Sequence, residues 1–468
     1  MRKNIIIDTD SYKVTHHLQY VDNLTKLYSY GEPRVGGAYP KICYFGGRMV
    51  IKDHFLQPVT TEMIDEAEQR AVDTFGTHKY FNREIWEHIK ELGYLPIRIK
   101  AAPEGTIMNE ANVCFTLEST EPWFAKNLNA LETVLMHIWY PTTVCTRSMF
   151  IKNSIKPWFI KSSDVTEYVM PVAVNDFGFR GATCYEAAAR AGAAHLIHFA
   201  GSDNEAGQSA LIEYYGSKGR LKSVWATEHS VALTYGPGQG EFDYLDAQLD
   251  RCPEDMIFSV VIDTYDSDNF VQNVVGSVEI KAKIIARTGR VVLRPDSGDP
   301  KINVIKYLDM LGGIFGYSIN KKGYKVVNHN VGLIQGDGMD EHSIPELYKE
   351  IVKCGWAADN VVTGSGGGLL QADINRDTSR WAIKPSYGEK EFGSPFDMSK
   401  SPKTDMTKKS KAGLLKLHPS TGSFITMSST EMPKHQFGSY VDALETVLEN
   451  GIYHEEKFEN VLERANKS

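Results

Sequence analysis

A chain of 468 residues is longer than one ordinary domain, and its 42% hydrophobic content can fill one large core and one smaller one. A formal charge of −8 without a clustered Lys/Arg face excludes nucleic acid as the main partner and favours a small anionic metabolite met by local basic pockets. Six scattered cysteines, with no CxxC or histidine spacing, indicate neither a zinc site nor a disulfide framework and point to a reducing cytoplasm. No apolar run approaches the roughly 20 residues of a spanning helix, and the opening MRKNIIIDTDSYK has only three isoleucines before an acid. A soluble, cytoplasmic protein with no membrane partner and no standard export signal is expected.

In chain order, residues 1–150 mix an acidic helix pattern from Thr60 to Leu92 with strand-like pieces, LPIRIKAAPEGTIM and VCFTLES, and an amphipathic helix, NALETVLMHIWY. Residues 151–386 have a different rhythm. Eight short apolar segments, VAVNDFG, AHLIHFAGSD, SVWATEHS, MIFSVVIDTYD, RVVLRPDSG, VGLIQGDG, NVVTGSGGG and WAIKPS, read as buried parallel strands. Helical patterns such as TCYEAAARAGA, EFDYLDAQLDRC and IPELYKEIVKCG separate most of them. Strand and helix therefore alternate for about seven to eight units, which predicts an irregular α/β barrel; an open doubly wound sheet has the same periodicity. Residues 387–468 begin Lys/Ser/Gly/Pro-rich, with KSPKTDMTKKSKAG as an exposed loop, then continue as a short strand and an acidic terminal helix. Both chain ends are expected to pack as one smaller α/β domain beside the barrel domain.

The strand ends carry the chemistry, because sites in such barrels are built at the C-terminal mouth. In VVLRPDSGDP, Arg294 and Asp296 stand two residues apart where a strand stops and project to one side, as either a structural ion pair or a site. DFGFRG sets Phe177, Phe179 and Arg180 around glycines before a helix, fit to stack on a flat ring and meet an oxyanion, or to plug a core. Asp203 in GSDNEAG either accepts from an N–H donor or caps a helix. His229 in TEHS is structural or catalytic. IDTYDSDN crowds Asp263, Asp266 and Asp268, suited to Mg²⁺, to ribose hydroxyls or to helix capping. QGDG (335–338) and TGSGGGLL (363–370) let backbone N–H groups approach phosphate, the second with a helix terminus behind it, and Asp337 suits a ribose diol. The inventory fits a ribose with phosphate at one end and pyrophosphate at the other.

In their order and spacing, TDSYKVTH (9–16), DFGFRG, EHS, RPDSGDP, QGDG and GSGGGLLQ resemble the nicotinamide phosphoribosyltransferases of the type II phosphoribosyltransferase family over most of the chain. The resemblance implies a homodimer with active sites at the subunit interface, joining nicotinamide to phosphoribosyl pyrophosphate to give nicotinamide mononucleotide and pyrophosphate in NAD salvage. It places Phe177 and Arg180 at the pyridine ring and Asp203 at its amide. Arg294 and Asp296 meet pyrophosphate and ribose, Asp263 the substrate, Gly336 and Asp337 the ribose, and Gly367 and Arg376 the 5′-phosphate. His229 falls on the family's phosphorylatable histidine, with ATP as co-substrate, and Asp10 and Tyr12 match the segment that enters the partner subunit's site. Two departures stand out: Phe179 replaces the family's tyrosine, and GEPRVGGAYPK (31–41) is shorter and less basic, leaving Arg34 or Lys41 as its phosphate-binding residue.

Cleaving the ribose C1–pyrophosphate bond builds positive charge on the ring and negative charge on the leaving group, so Asp296 answers the first and Arg294 the second. The pyridine nitrogen itself attacks C1, so no protein nucleophile is required, and Mg²⁺ is expected on the pyrophosphate, its protein ligands unassigned. Nicotinate phosphoribosyltransferase and a non-catalytic nucleotide-binding homologue are the alternatives. A sugar-phosphate isomerase or aldolase would need a proton-transfer base or a Schiff-base lysine, and these strand ends carry no lysine.

Overall fold

A computed structural model describes residues 3–404 and 409–467, in two compact units. One comprises residues 147–211 and 218–372; the other comprises 1–146, 212–217 and 373–468. Part of the expected loop KSPKTDMTKKSKAG, residues 405–408, lies outside the described residues. No helix among the described residues is long and apolar enough to cross a membrane.

In the unit of residues 147–372, parallel strands run side by side in the order Val174–Asp176, Val361–Ser365, Val331–Gln335, Val291–Arg294, Phe258–Val261 and Trp225–Ala226. Two isolated parallel bridges, Asp176 with Ser202 and Gly201 with Lys222, then join the ends of this sheet. The sheet is thus a ring of seven segments, with 200–203 contributing backbone contacts in place of a full strand. Val, Ile and Leu fill the strands, as burial on both faces requires. Helices Tyr185–His195, Gln239–Arg251, Pro300–Phe315 and Ser343–Lys353 cover the outside. Residues 269–287 are less regular: a π-helical turn, Phe270–Val275, precedes the helix Val278–Ala286.

Two expected barrel strands are corrected. In AHLIHFAGSD, Ala194 and His195 end the helix Tyr185–His195 and residues 196–198 form the turn after it, leaving only Gly201 and Ser202 to pair. WAIKPS belongs to the strand Trp381–Lys390 of the other unit and runs antiparallel to Leu24–Pro33. Pro385 lies beside the register shift between Tyr28 and Ser29, where a strand tolerates a missing N–H.

That second unit is built on a seven-stranded antiparallel sheet, in which Leu24–Pro33 lies between Trp381–Lys390 and the central strand Phe115–Ser119. Ile97–Ala101, Glu445–Glu449 and Ile452–Tyr453 extend one edge and Phe396–Asp397 the other, so both chain ends share one sheet. The pattern from Thr60 to Leu92 is two helices, Thr61–Phe75 and Arg83–Leu92, separated at Gly76, whose φ of 71° stops the first. NALETVLMHIWY runs through 3₁₀ and α turns into the long helix Trp139–Ser162.

Candidate active site

All the strand-end motifs project from the C-terminal ends of the parallel ring. Inside the ring lies a cavity of about 470 Å³, lined at the mouth by Phe177, Asp203 and Arg294. Barrels of this kind are ordinarily filled by branched side chains; here the small residues Ala226 and Ser259 stand among the lining, and Gly332 makes room for the Arg290 guanidinium, which a Cβ there would meet at 2.6 Å. Phe177 is seated by glycine: a Cβ on Gly364 would lie 2.0 Å from its ring, and one on Gly336 would lie 3.5 Å away. The ring therefore rests against bare backbone of two strands.

Asp176 organises the turn beneath it. This buried carboxylate accepts from the Gly178 N–H (2.7 Å) and from Asn204 Nδ2 (2.9 Å), tying DFGFRG to the GSDN segment. Burial pushes its pKa up to about 6, against the opposing pull of those two hydrogen bonds. Asn204 takes the capping role, accepting from the Gly207 N–H, so Asp203 is spared it and instead accepts from the Ser223 hydroxyl. Arg180, in the one-turn 3₁₀ helix Phe179–Gly181, is exposed and does not line the cavity.

The three acids of IDTYDSDN separate by role. Asp266 caps the next turn through the N–H groups of Asp268 and Asn269, and Asp268 pairs with Lys306. Asp263 instead faces His229, Oδ1 to Nε2 at 3.1 Å, while its Oδ2 accepts from the Asp296 N–H (3.1 Å) and the Ser297 hydroxyl (2.6 Å). One carboxylate thus orients the histidine and the RPDSG turn together. Arg294 donates through Nη2 to the Thr227 carbonyl (2.9 Å), and its buried Nε has no partner among the described residues. Arg294 and Asp296 form no ion pair with each other among the described residues, which removes the structural reading of that motif. Asp337, two residues beyond the strand Val331–Gln335, is exposed and does not line the cavity, and the backbone at Gly367 is open: a Cβ there would meet nothing within 4 Å. The helix after GSGGG is one turn, Gly367–Leu370, so phosphate recognition there would come from loop N–H groups in place of a helix terminus.

Asp10, Tyr12 and Arg376 occupy the other unit, around a separate cavity of about 610 Å³. Asp10 accepts from the Thr133 hydroxyl at 2.9 Å, and Tyr12 is 59% exposed. The structure separates Arg34 from Lys41: Arg34 lines this cavity, its buried Nε and Nη2 without partners among the described residues, whereas Lys41 does not line it. Arg380 and Lys384 also line it and were not anticipated, because Lys384 was assigned to a barrel strand. Glu132 lies at the same cavity, its pKa raised by burial and pulled back by the Ser29 hydroxyl and Lys13.

An aromatic platform, an arginine–carboxylate turn and glycine loops at the mouth of a seven-segment ring, with a separate basic cavity, form the equipment of a phosphoribosyl-transferring enzyme, a pentosyltransferase. The chain belongs to the nicotinate phosphoribosyltransferase (NAPRTase) family, whose model matches residues 172–452, and residues 4–99 match the nicotinamide phosphoribosyltransferase N-terminal domain. It is 37% identical over 452 residues to a nicotinamide phosphoribosyltransferase of Xanthomonas campestris pv. campestris, covering 96% of this chain and 95% of that one. It is 30% identical to one of Acinetobacter baylyi, covering 96% and 94%. In fold it is similar to the nicotinate-nucleotide pyrophosphorylase of Pyrococcus furiosus (TM-score 0.59, 15% identity, 99% and 95% covered). It is likewise similar to human nicotinic acid phosphoribosyltransferase (TM-score 0.55, 16% identity, 98% and 92% covered).

Proposed function

We propose that the protein condenses nicotinamide with phosphoribosyl pyrophosphate to give nicotinamide mononucleotide and pyrophosphate in NAD salvage. The observation that carries this reading is the mouth of the ring cavity, where Phe177 offers a ring face beside an acceptor, Asp203. An ionised carboxylate only accepts hydrogen bonds, so it pairs with a carboxamide NH₂ and repels the carboxylate of nicotinate. Phe177 stacks on the pyridine and directs its nitrogen toward C1, while Arg180 borders the base from its exposed turn. Asp296 faces the charge that develops on the ribose ring, and Arg294, with its unpartnered Nε, faces the departing pyrophosphate. Gly336 and Asp337 hold the ribose, and Gly367 and Arg376 the 5′-phosphate. Arg34, Arg380 and Lys384 add cations for further phosphate oxygens.

Asp263 keeps His229 oriented, and phosphorylation of His229 by ATP would set added charge beside the leaving group. Bound Mg²⁺ would neutralise the pyrophosphate. Among the described residues no set of three acids gathers at this mouth, so the ion would be carried mainly by substrate oxygens and water. Because the site residues divide between two cavities, the reading includes a homodimer in which Asp10 and Tyr12 serve the partner's site.

The deciding experiment compares kcat/KM for nicotinamide and nicotinate in wild type and Asp203→Asn. Wild type is expected to favour nicotinamide by on the order of 100-fold or more, as like-charge juxtaposition costs several kcal/mol, and the variant to narrow the gap. Equal or better use of nicotinate by wild type refutes the assignment. For the histidine, ATP should label wild type and leave His229→Ala unlabelled; labelling of both disproves that role.

A further inference from the structure

Behind the two glycine loops lies a buried arginine that none of the sequence motifs includes. Arg147, on the helix Trp139–Ser162, has a side chain only 3% exposed. Its Nη1 donates to the carbonyls of Gly368 and Ala372, each at 2.9 Å, with the Leu369 carbonyl at 3.5 Å. Its Nη2 lies 3.1 Å from Glu341 Oε1. These acceptors come from two segments: Glu341 follows the QGDG loop, and the three carbonyls end the GSGGG loop.

The same two segments already touch. The Ser365 hydroxyl donates to the Met339 carbonyl at 2.5 Å, and a Cβ on Gly368 would come within 2.7 Å of that carbonyl. A one-turn helix such as Gly367–Leu370 cannot satisfy its own last carbonyls. A guanidinium, planar and with five N–H donors, can take several carbonyls on one nitrogen and a carboxylate on another, which an ammonium cannot do in a fixed plane.

We propose that Arg147 is a positioning residue for the phosphoribosyl donor: it sets the spacing of the ribose loop (336–341) against the 5′-phosphate loop (366–372) from the side opposite the substrate. The inference rests on the proposed function, which assigns those loops to the donor. Its geometry ties the two loops to one rigid group, so loosening it affects the donor, which spans both, and leaves the base, which is held by Phe177 and Asp203.

The test uses the full-length protein as wild type, Arg147→Lys, Arg147→Met and Glu341→Gln. KM is measured for each substrate at saturating levels of the other, together with deuterium uptake of peptides covering both loops. Arg147→Lys is expected to stay folded, to raise KM for phosphoribosyl pyrophosphate about 10-fold or more, and to leave KM for nicotinamide within about twofold; both loops should take up deuterium faster. Glu341→Gln should shift the same constant in the same direction by less. If Arg147→Met does not fold, the other two variants decide. A folded Arg147→Lys with faster exchange but an unchanged KM for the donor overturns the positioning role, since that is what purely structural packing produces. Calorimetric titration of wild type with phosphoribosyl pyrophosphate separates the two levels: absence of binding there refutes the proposed function itself, and the inference with it.

Discussion

Single side chains in this protein do two jobs at once, and Asp176 is the clearest case. It must stay unsolvated to hold the Gly178 N–H and Asn204, and burial raises its pKa from 3.8 to about 6. A folded acid with a raised pKa binds its proton more tightly than the unfolded chain does, so its favourable share of stability is present below about pH 3.8 and is lost as pH rises through about 6. The shift corresponds to roughly 3 kcal/mol, as an order of magnitude. Denaturant unfolding of wild type and Asp176→Asn across pH 4 to 7 should give a stability difference that changes by a few kcal/mol over this window. A difference independent of pH would show that Asp176 ionises normally. Arg34 teaches a related lesson: its buried, unpartnered N–H groups mark a cation held ready for an anion, and nothing in GEPRVGGAYPK distinguishes it from Lys41 until the cavity is visible.

At the scale of elements, the strand Val361–Ser365 earns its glycine by what lies across from it. Because a Cβ on Gly364 would fall 2.0 Å from the Phe177 ring, Gly364→Ala must displace the aromatic platform. The variant should raise KM for nicotinamide about 10-fold or more, in keeping with the loss of a stacked aromatic contact of about 1 kcal/mol plus misorientation. Gly364→Ala combined with Phe177→Leu should recover thermal stability but not base affinity. Unaltered steady-state constants in Gly364→Ala would show that the seat does not matter. The sequence displayed these strands through their apolar runs and displayed the site through polar clusters at their ends. It misplaced WAIKPS because a short apolar run carries no sign of parallel or antiparallel pairing, and only the missing helix after it and Pro385 hinted otherwise. It could not display Arg147, which lies in TRSMF with no local pattern and acquires its role from carbonyls more than two hundred residues away.

For the whole molecule, the division of site residues between two units, each with its own cavity, is what makes a shared site testable. In a two-fold dimer each N-terminal segment can serve the neighbouring copy. Mixing inactive Tyr12→Ala with inactive Arg294→Ala protein should therefore regenerate activity in heterodimers, which hold one intact site. Failure to regain activity, once subunit exchange has been demonstrated by mass spectrometry, would place the whole site within one chain. That both chain ends belong to one smaller domain is legible from their lacking the strand–helix rhythm of the middle; that they share one antiparallel sheet is not. The pairing of Leu24–Pro33 with Trp381–Lys390 spans more than three hundred residues and leaves no local trace.

The ring of parallel segments is not equally strong all the way round. Five of its joints are strand ladders, whereas the two beside residues 200–203 are isolated bridges carrying a few hydrogen bonds, such as Asp203 N–H to the Asp176 carbonyl and Lys222 N–H to the Ala200 carbonyl. The ring is in effect a split hoop, and the slit lies beside Asp203, the residue that the proposed function sets against the base. A hoop can flex at its slit without breaking a ladder, so the cavity can admit a flat heterocycle by a small local parting while its other walls stay fixed. On the proposed function, a base gripped across the slit, with Phe177 on one side and Asp203 on the other, would act as the clasp that closes it.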